Sequence, residues 1–166
     1  MSPEINEISS CFEDIKNSII DLLEEETQRF IFLTGAAGTG KSTMLEHIRN
    51  QLDLKKMIVA PTGVAALNIG GNTINSAFRI GFDTIPEITK SKDPRFRKLL
   101  KNLELLIIDE ISMVRAPMLD AISQSLQIHR NSTEPFGGVS VLACGDLFQL
   151  PPVVQSSSTS RERDQS

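Results

Sequence analysis

The chain has 166 residues, 17 Lys and Arg against 21 Asp and Glu, and a formal net charge of −4. That length suits one domain with a real core, and 40% hydrophobic with 23% charged residues excludes a disordered chain. Apolar runs such as Leu105–Ile108 are too short to span a bilayer, and the start Met1-Ser2-Pro3-Glu4 lacks the basic-then-apolar order of a signal peptide. Two cysteines, Cys11 and Cys144, make neither a disulfide framework nor a zinc site. They read as small buried residues of a cytoplasmic, reducing setting with no membrane partner.

Residues 4–26 carry eight acids and one base, and place Ile5, Ile8, Phe12, Ile15, Ile19 and Leu22 at spacings of three and four. This predicts a helix with one apolar stripe, docked on the domain, within an N-terminal unit 1–28. Residues 29–34 (RFIFLT) read as a buried strand, 41–52 as a helix and 57–60 as a second strand. Breakers crowd 61–94, around short helical pieces. A helix is expected over 94–102, a third strand over 103–108, a helix near 116–130, a turn at 134–138 and a fourth strand over 139–144. The stretch 79–101 holds seven bases and three acids, a modest basic region. Residues 155–166 contain five serines and no apolar residue, and predict a disordered polar tail. Strands alternating with helices imply a parallel sheet covered on both faces, with ligands at the carboxyl ends of its strands.

Gly35, Ala36, Ala37, Gly38, Thr39, Gly40, Lys41 and Ser42 fit the phosphate-loop pattern GxxxxGK[ST] between a predicted strand and a predicted helix. Glycines let backbone N–H groups wrap phosphates at a helix N-terminus. Lys41 adds a charge near the β- and γ-phosphates, and the Ser42 hydroxyl can ligate Mg²⁺. Leu105-Leu106-Ile107-Ile108-Asp109-Glu110 is an apolar strand ending in two carboxylates. Asp109 is the candidate Mg²⁺ partner, and Glu110 the candidate base for an in-line water, which favours hydrolysis. In Gly145-Asp146-Leu147-Phe148-Gln149-Leu150-Pro151-Pro152, Gln149 is placed to sense a γ-phosphate; a Gly-Asp turn and a Pro-Pro stop explain the same letters.

Four segments in order resemble motifs I, Ia, II and III of the petite-integration-frequency DNA helicases, in the 5′-to-3′ branch of superfamily one with RecD. They are 35–43 (GAAGTGKST), 60–78 (APTGVAALNIGGNTINSAF), 106–113 (LIIDEISM) and 145–153 (GDLFQLPPV). Residues 115–130 and 135–139 are similar to the connecting region of bacterial members, so the resemblance covers about 29–154. It implies an α/β fold, the RecA-like P-loop NTPase, here one incomplete motor unit over 29–154. It implies ATP and Mg²⁺ as cofactors, with the loop 35–43, Thr43 included, on the phosphates. Lys41, Glu110 and Gln149 would serve catalysis, and Ser42 and Asp109 would hold the metal. Single-stranded DNA would meet Pro61, Thr62, Gly63, Asn75, Ser76 and Phe78. Hydroxyls and backbone amides hold phosphate oxygens without reading sequence. Phe78 is a candidate for stacking on a base, set against the commoner use of phenylalanine as core, in a chain with no Trp or Tyr.

The sequence departs from the family in three places. Asn75 stands where the family usually has His; residues 10–20 offer no adenine-recognising Gln, with Gln28 too near the strand; and the second motor domain with its arginines does not follow Val154. The implied activity is that of an ATP-binding and ATP-hydrolysing helicase core acting on single-stranded DNA in repair or recombination. Hydrolysis by this chain alone is expected to be weak and unwinding absent, unless a separate chain supplies the second half. The alternatives are a non-catalytic nucleotide-binding module or gene remnant, and a small-molecule kinase, against which the Asp109-Glu110 pair argues.

Overall fold

The computed structural model describes residues 3–35, 40–82 and 85–146, with side chains from Phe12 onward. The strands are β1 (Phe30–Thr34), β2 (Lys56–Ala60), β3 (Asn72–Thr73), β4 (Leu105–Ile108) and β5 (Ser140–Gly145). They form one sheet in the order β1-β5-β4-β2-β3, parallel at every pairing. The helices are α1 (Pro3–Glu24), α2 (Lys41–Gln51), α3 (Gly63–Asn68), α4 (Ile74–Phe78), α5 (Pro94–Lys101) and α6 (Ala116–Arg130). This is the parallel α/β sheet expected from the alternation of elements, and the fold class that the family resemblance implied.

Strand periodicity sorts the core into two layers. In β4, Leu106 and Ile108 face one cluster and Leu105 and Ile107 the other, all four fully buried. Phe78, Phe96, Leu100, Ile122 and Leu126 cover the first face from α4, α5 and α6. Met44, Leu45 and Ile48 of α2, with Ile19 and Leu23 of α1, cover the second. A β4 buried on both sides reads as an uninterrupted apolar run, as parallel strands do.

Four details differ from expectation. Strand β1, expected to be buried, lies at the sheet edge with Phe30 and Phe32 57% and 47% exposed. The third strand begins at Leu105 rather than 103, because Leu103 still packs below the end of α5. Strand β3, only two residues long, had no apolar signal; Gly71 before it comes so close to β2 that a Cβ there would lie 2.5 Å from the Ile58 carbonyl oxygen. The α1 stripe is rotated. Ile19 and Leu23 are buried, but Ile15 and Leu22 are 41% and 37% exposed. The contact with α2 is a narrow seam, so only the line Phe12, Lys16, Ile19, Leu23 faces it. Lys16 fills a core position with its aliphatic stem while its ammonium donates to Glu13.

Two polar residues tie the long segment 79–104 to α6. His129 is buried; its Nε2 accepts from the Ser91 N–H (3.0 Å), which leaves Nδ1 to donate to the Ser125 carbonyl (2.7 Å). Arg130 donates from Nη1 to the carbonyls of Leu100, Lys101 and Leu103 (3.0, 2.8 and 2.8 Å) and from Nε to that of Gly137 (2.8 Å). One guanidinium thus satisfies the open C-terminal end of α5. Arg130→Ala is expected to cost about 2–3 kcal/mol in denaturant unfolding, and Arg130→Lys to recover little, because an ammonium cannot reproduce the planar fork. Unchanged stability in Arg130→Ala would contradict this role.

Candidate nucleotide and nucleic-acid site

Every strand points the same way, so every loop that follows a strand opens on one edge of the sheet. β5 lies between β1 and β4, with Thr34 beside Gly145 and Ala143 beside Ile108. The register therefore carries Gly35, Asp146 and Asp109 to that edge on three adjacent strands. On β2 and β3 it carries Pro61, Thr62 and Gly63, and then Asn75 and Ser76, to the same edge.

Gly40 is the N-cap of α2 at φ 87°, a left-handed conformation that glycine adopts without penalty. The first turn of α2 carries no acidic residue and its cap makes no side-chain hydrogen bond. Its N–H groups and dipole thus form an anion-binding end. Ser42 and Thr43 in that turn are exposed, and the Lys41 ammonium donates to the Gly35 carbonyl. Ala36, Ala37, Gly38 and Thr39, together with Gln149 and the serine-rich tail, lie outside the described residues.

Asp109 is half-buried at the end of β4, and its Oδ1 accepts from the Glu110 N–H at 2.9 Å. Burial lifts its carboxyl above the usual range, against the opposing pull of the Glu110 N–H and of Lys41. Glu110 is held at φ 53°, ψ 44°, a left-handed conformation costing a non-glycine residue about 1–3 kcal/mol. That turn leads into a 3₁₀ helix, Ile111–Met113, packed so closely on β5 that a Cβ at Gly145 would lie 2.8 Å from Ile111 Cγ2. Cys144, fully buried on β5, sits in the field of both site charges. Burial and then Asp109 push its thiol up to about 12, with Lys41 opposing, so it stays a protonated, unreactive thiol. The oxygen donors Ser42 and Asp109 are of the kind Mg²⁺ takes. Among the described residues no group of three His, Cys, Asp or Glu could hold a metal ion.

The strand-binding candidates divide. Thr62 and Ser76 are exposed, as is Gly63, and Pro61 is half-buried beside them. The Thr62 hydroxyl caps α3 by accepting from the Ala65 N–H, which leaves its own hydrogen available. Asn75, however, spends its amide N–H₂ on the carbonyls of Ile80 and Gly81, each at 3.1 Å. It pins the following turn, and only its carbonyl oxygen remains for a ligand. Phe78 is a correction: it is 3% exposed in the core between β2, α5 and α6, so it cannot stack on a base. The apolar spacing of α4 points Phe78 inward, as the core alternative required. Gln28 is likewise structural, donating to the carbonyls of Pro135 and Val139.

Sequence reading missed Phe82. It is 91% exposed and, with Pro61, Asn75, Met113, Arg115 and Met118, borders a groove of about 180 Å³. An aromatic just after Gly81, past the end of the helical spacing, was the available signal.

Removing the buried charge tests this electrostatic description. Ionised Asp109 costs the nucleotide-free fold stability at neutral pH, and the cost disappears as pH falls and the carboxyl takes up a proton. Asp109→Asn is expected to raise the melting temperature near pH 7, to lose that advantage in acid, and to reduce the stabilisation given by Mg²⁺ and ATP. A lower melting temperature in the nucleotide-free variant would contradict it.

Comparison with known proteins identifies the family. The sequence pattern of the PIF1-like helicase family matches residues 7–166. The ATP-dependent DNA helicase PIF1 of Rattus norvegicus is 41% identical over 135 residues, covering 79% of this chain and 21% of its own length. The ATP-dependent DNA helicase Pif1 of Bdellovibrio bacteriovorus is 41% identical over 145 residues, covering 84% of this chain and 32% of its own. A crystal structure of Pif1 helicase from Bacteroides in complex with ADP-AlF3 and single-stranded DNA superimposes with a TM-score of 0.75 at 42% identity, over 84% of this chain and 33% of that one. The chain thus spans about a fifth to a third of the relatives it matches. It belongs to the PIF1-like helicase family.

Proposed function

We propose that this chain is the ATP-binding half-site of a cytoplasmic DNA helicase, hydrolysing ATP in response to single-stranded DNA in repair or recombination. The observation that carries the reading is the convergence, on one sheet edge, of the Gly40–Ser42 helix start, the Asp109–Glu110 pair and the exposed Pro61–Gly63 and Ser76 surface. The relatives are named as ATP-dependent DNA helicases, and the Bacteroides protein was crystallised with a nucleotide analogue and a single strand. No helix among the described residues is long and apolar enough to cross a membrane.

In this reading Lys41 and the α2 N-terminus neutralise the β- and γ-phosphates. Ser42 and the Asp109 carboxylate would hold Mg²⁺, which would supply positive charge against the phosphates. Glu110 accepts a proton from the water that attacks the γ-phosphorus, and Gln149 senses the phosphate. The left-handed turn at Glu110 separates the roles of the two carboxylates: Asp109 is anchored by the N–H of its neighbour, whereas Glu110 is presented by strained backbone. The rest of the motor, in a longer polypeptide or a separate chain, closes over this edge with its arginines. The 166-residue polypeptide by itself then turns over slowly and does not separate duplex strands. Thr62, Gly63 and Ser76 hold the phosphates of the single strand, and Phe82 stacks on a base.

Steady-state ATP hydrolysis with and without oligo-dT is the direct test. Stimulation by the oligonucleotide is expected. Lys41→Ala should weaken nucleotide binding on the order of tenfold or more, and Glu110→Gln should bind nucleotide normally without turnover. Full turnover in Glu110→Gln would remove it as the base. Phe82→Ala should weaken oligo-dT binding about fivefold or more at unchanged melting temperature. Phe78→Ala should instead lower the melting temperature by emptying a core position. Equal oligo-dT affinity in Phe82→Ala would exclude stacking there.

A further inference from the structure

Helix α5 presents a cationic face that the nucleotide and single-strand sites leave unused. Phe96 and Leu100 point into the core, while Arg95, Arg97, Lys98 and Lys101 are all exposed. Four positive side chains thus stand within seven residues, about 10 Å of helix. None of the four has a carboxylate within ion-pairing distance among the described residues, where the ion pairs are Lys16–Glu13, Arg29–Glu25 and Arg79–Asp93. Lys90 and Lys92, both exposed, extend the charge ahead of the helix. A concentration of this kind in a chain of net charge −4 marks a surface for a polyanion.

The position of α5 says which polyanion. Its first turn is clamped to the end of α4. Arg79 pairs with Asp93, the N-cap of α5, at 2.8 Å, and its guanidinium carbon lies 4.3 Å from the Phe96 ring centroid. Its last turn ends at the opposite edge, where the Glu104 N–H donates to the Lys55 carbonyl just before β2 (2.8 Å). The cationic face therefore descends the flank of the domain, starting at the segment that carries Ser76. A strand lying along the carboxyl edge of the sheet does not run down this flank. A second length of nucleic acid, continuous with or paired to that strand, does.

Resting on the helicase reading above, we propose that the exposed face of α5 binds the phosphate backbone of a duplex arm adjoining the single strand. The contact is to phosphates and carries no sequence preference. It holds a DNA junction against the domain by charge, independently of nucleotide. Exposed Leu99, at the margin of the face between Arg95 and the buried Phe96, would also suit an acidic peptide, and the test separates that occupant.

The test is equilibrium binding of the full chain to oligo-dT, and to the same strand bearing a duplex arm, across a salt series. The triple variant Arg97→Ala, Lys98→Ala, Lys101→Ala is compared, alanine keeping the helix. The unaltered chain is expected to bind the armed strand more tightly than the plain one. The variant should lose this gain, on the order of tenfold at moderate salt, with the logarithmic salt slope reduced by about 2–3. Its oligo-dT affinity and oligo-dT-stimulated hydrolysis should be unchanged, and Arg97→Lys should keep the gain, since a point charge suffices. The proposal is overturned if the arm adds nothing to the unaltered chain, if the variant keeps the gain, or if a poly-glutamate peptide displaces the arm at equal charge concentration. Loss of oligo-dT binding in the unaltered chain would be a separate failure, that of the single-strand reading.

Discussion

The placement of β5 between β1 and β4 is the constraint from which the candidate site follows. In a parallel sheet all carboxyl ends share an edge, but only neighbouring strands bring their loops within reach of one phosphate group. With Thr34 beside Gly145 and Ala143 beside Ile108, the phosphate loop and the acidic pair end one strand apart. The gap is floored by Cys144 and Gly145, a small side chain and none. Gly145 has to be glycine because the 3₁₀ helix after Glu110 lies against it. A larger residue would push the acidic turn off the sheet and move Glu110 with it.

Stability is given up at this edge and recovered elsewhere. Asp109 is partly desolvated, Glu110 sits in a strained left-handed turn, and the α2 N-terminus presents N–H groups without a side-chain cap. Each of these would be improved by a substitution that ruins nucleotide chemistry. The compensation lies in β4, with four fully buried side chains, and in the α5–α6 contact fixed by Arg130 and His129. The partly desolvated Asp109 and the uncapped α2 N-terminus stand where an anion and its cation would relieve them, while at the opposite edge Arg130 is satisfied by the protein's own carbonyls.

Much of this was readable in the letters, for physical reasons that also explain the omissions. The strand β4 announces itself because burial on both faces demands an unbroken apolar run. The phosphate loop does so because glycine at Gly35 and Gly40 followed by Lys41-Ser42 is a rare backbone requirement. What was misread depended on partners distant in sequence. Phe78 and Phe82 are four residues apart and indistinguishable by composition; only the packing of α5 and α6 buries the first and leaves the second outside. Ile15 and Leu22 fit a helical stripe, but the seam with α2 is too narrow to use them. The amide of Asn75 is spent on its own turn, a local geometry that spacing does not encode. β3 was invisible because two residues carry no periodicity.

In the proposed reading, the short path from the acidic pair to the strand surface would let one domain make nucleotide and DNA sense each other. Glu110 begins the turn, Ile111–Met113 forms the 3₁₀ helix, and Met113 and Arg115 already border the groove shared with Pro61, Asn75 and Phe82. A change in the backbone of Glu110, one of four non-glycine residues held at positive φ among the described residues, would pass through a single hydrogen-bonded turn, closed by the Met113 N–H on the Glu110 carbonyl at 3.0 Å. Gly145 backs that turn from the strand that continues to Asp146, so in the proposed reading the nucleotide and the groove bordered by Phe82 would meet the same three residues from opposite sides. The 3₁₀ helix has no fully buried side chain of its own, and Ile111, with Val114 just after it, packs half-buried against the core. In the proposed reading, this lightly buried turn is where a nucleotide and a DNA strand would meet the same backbone.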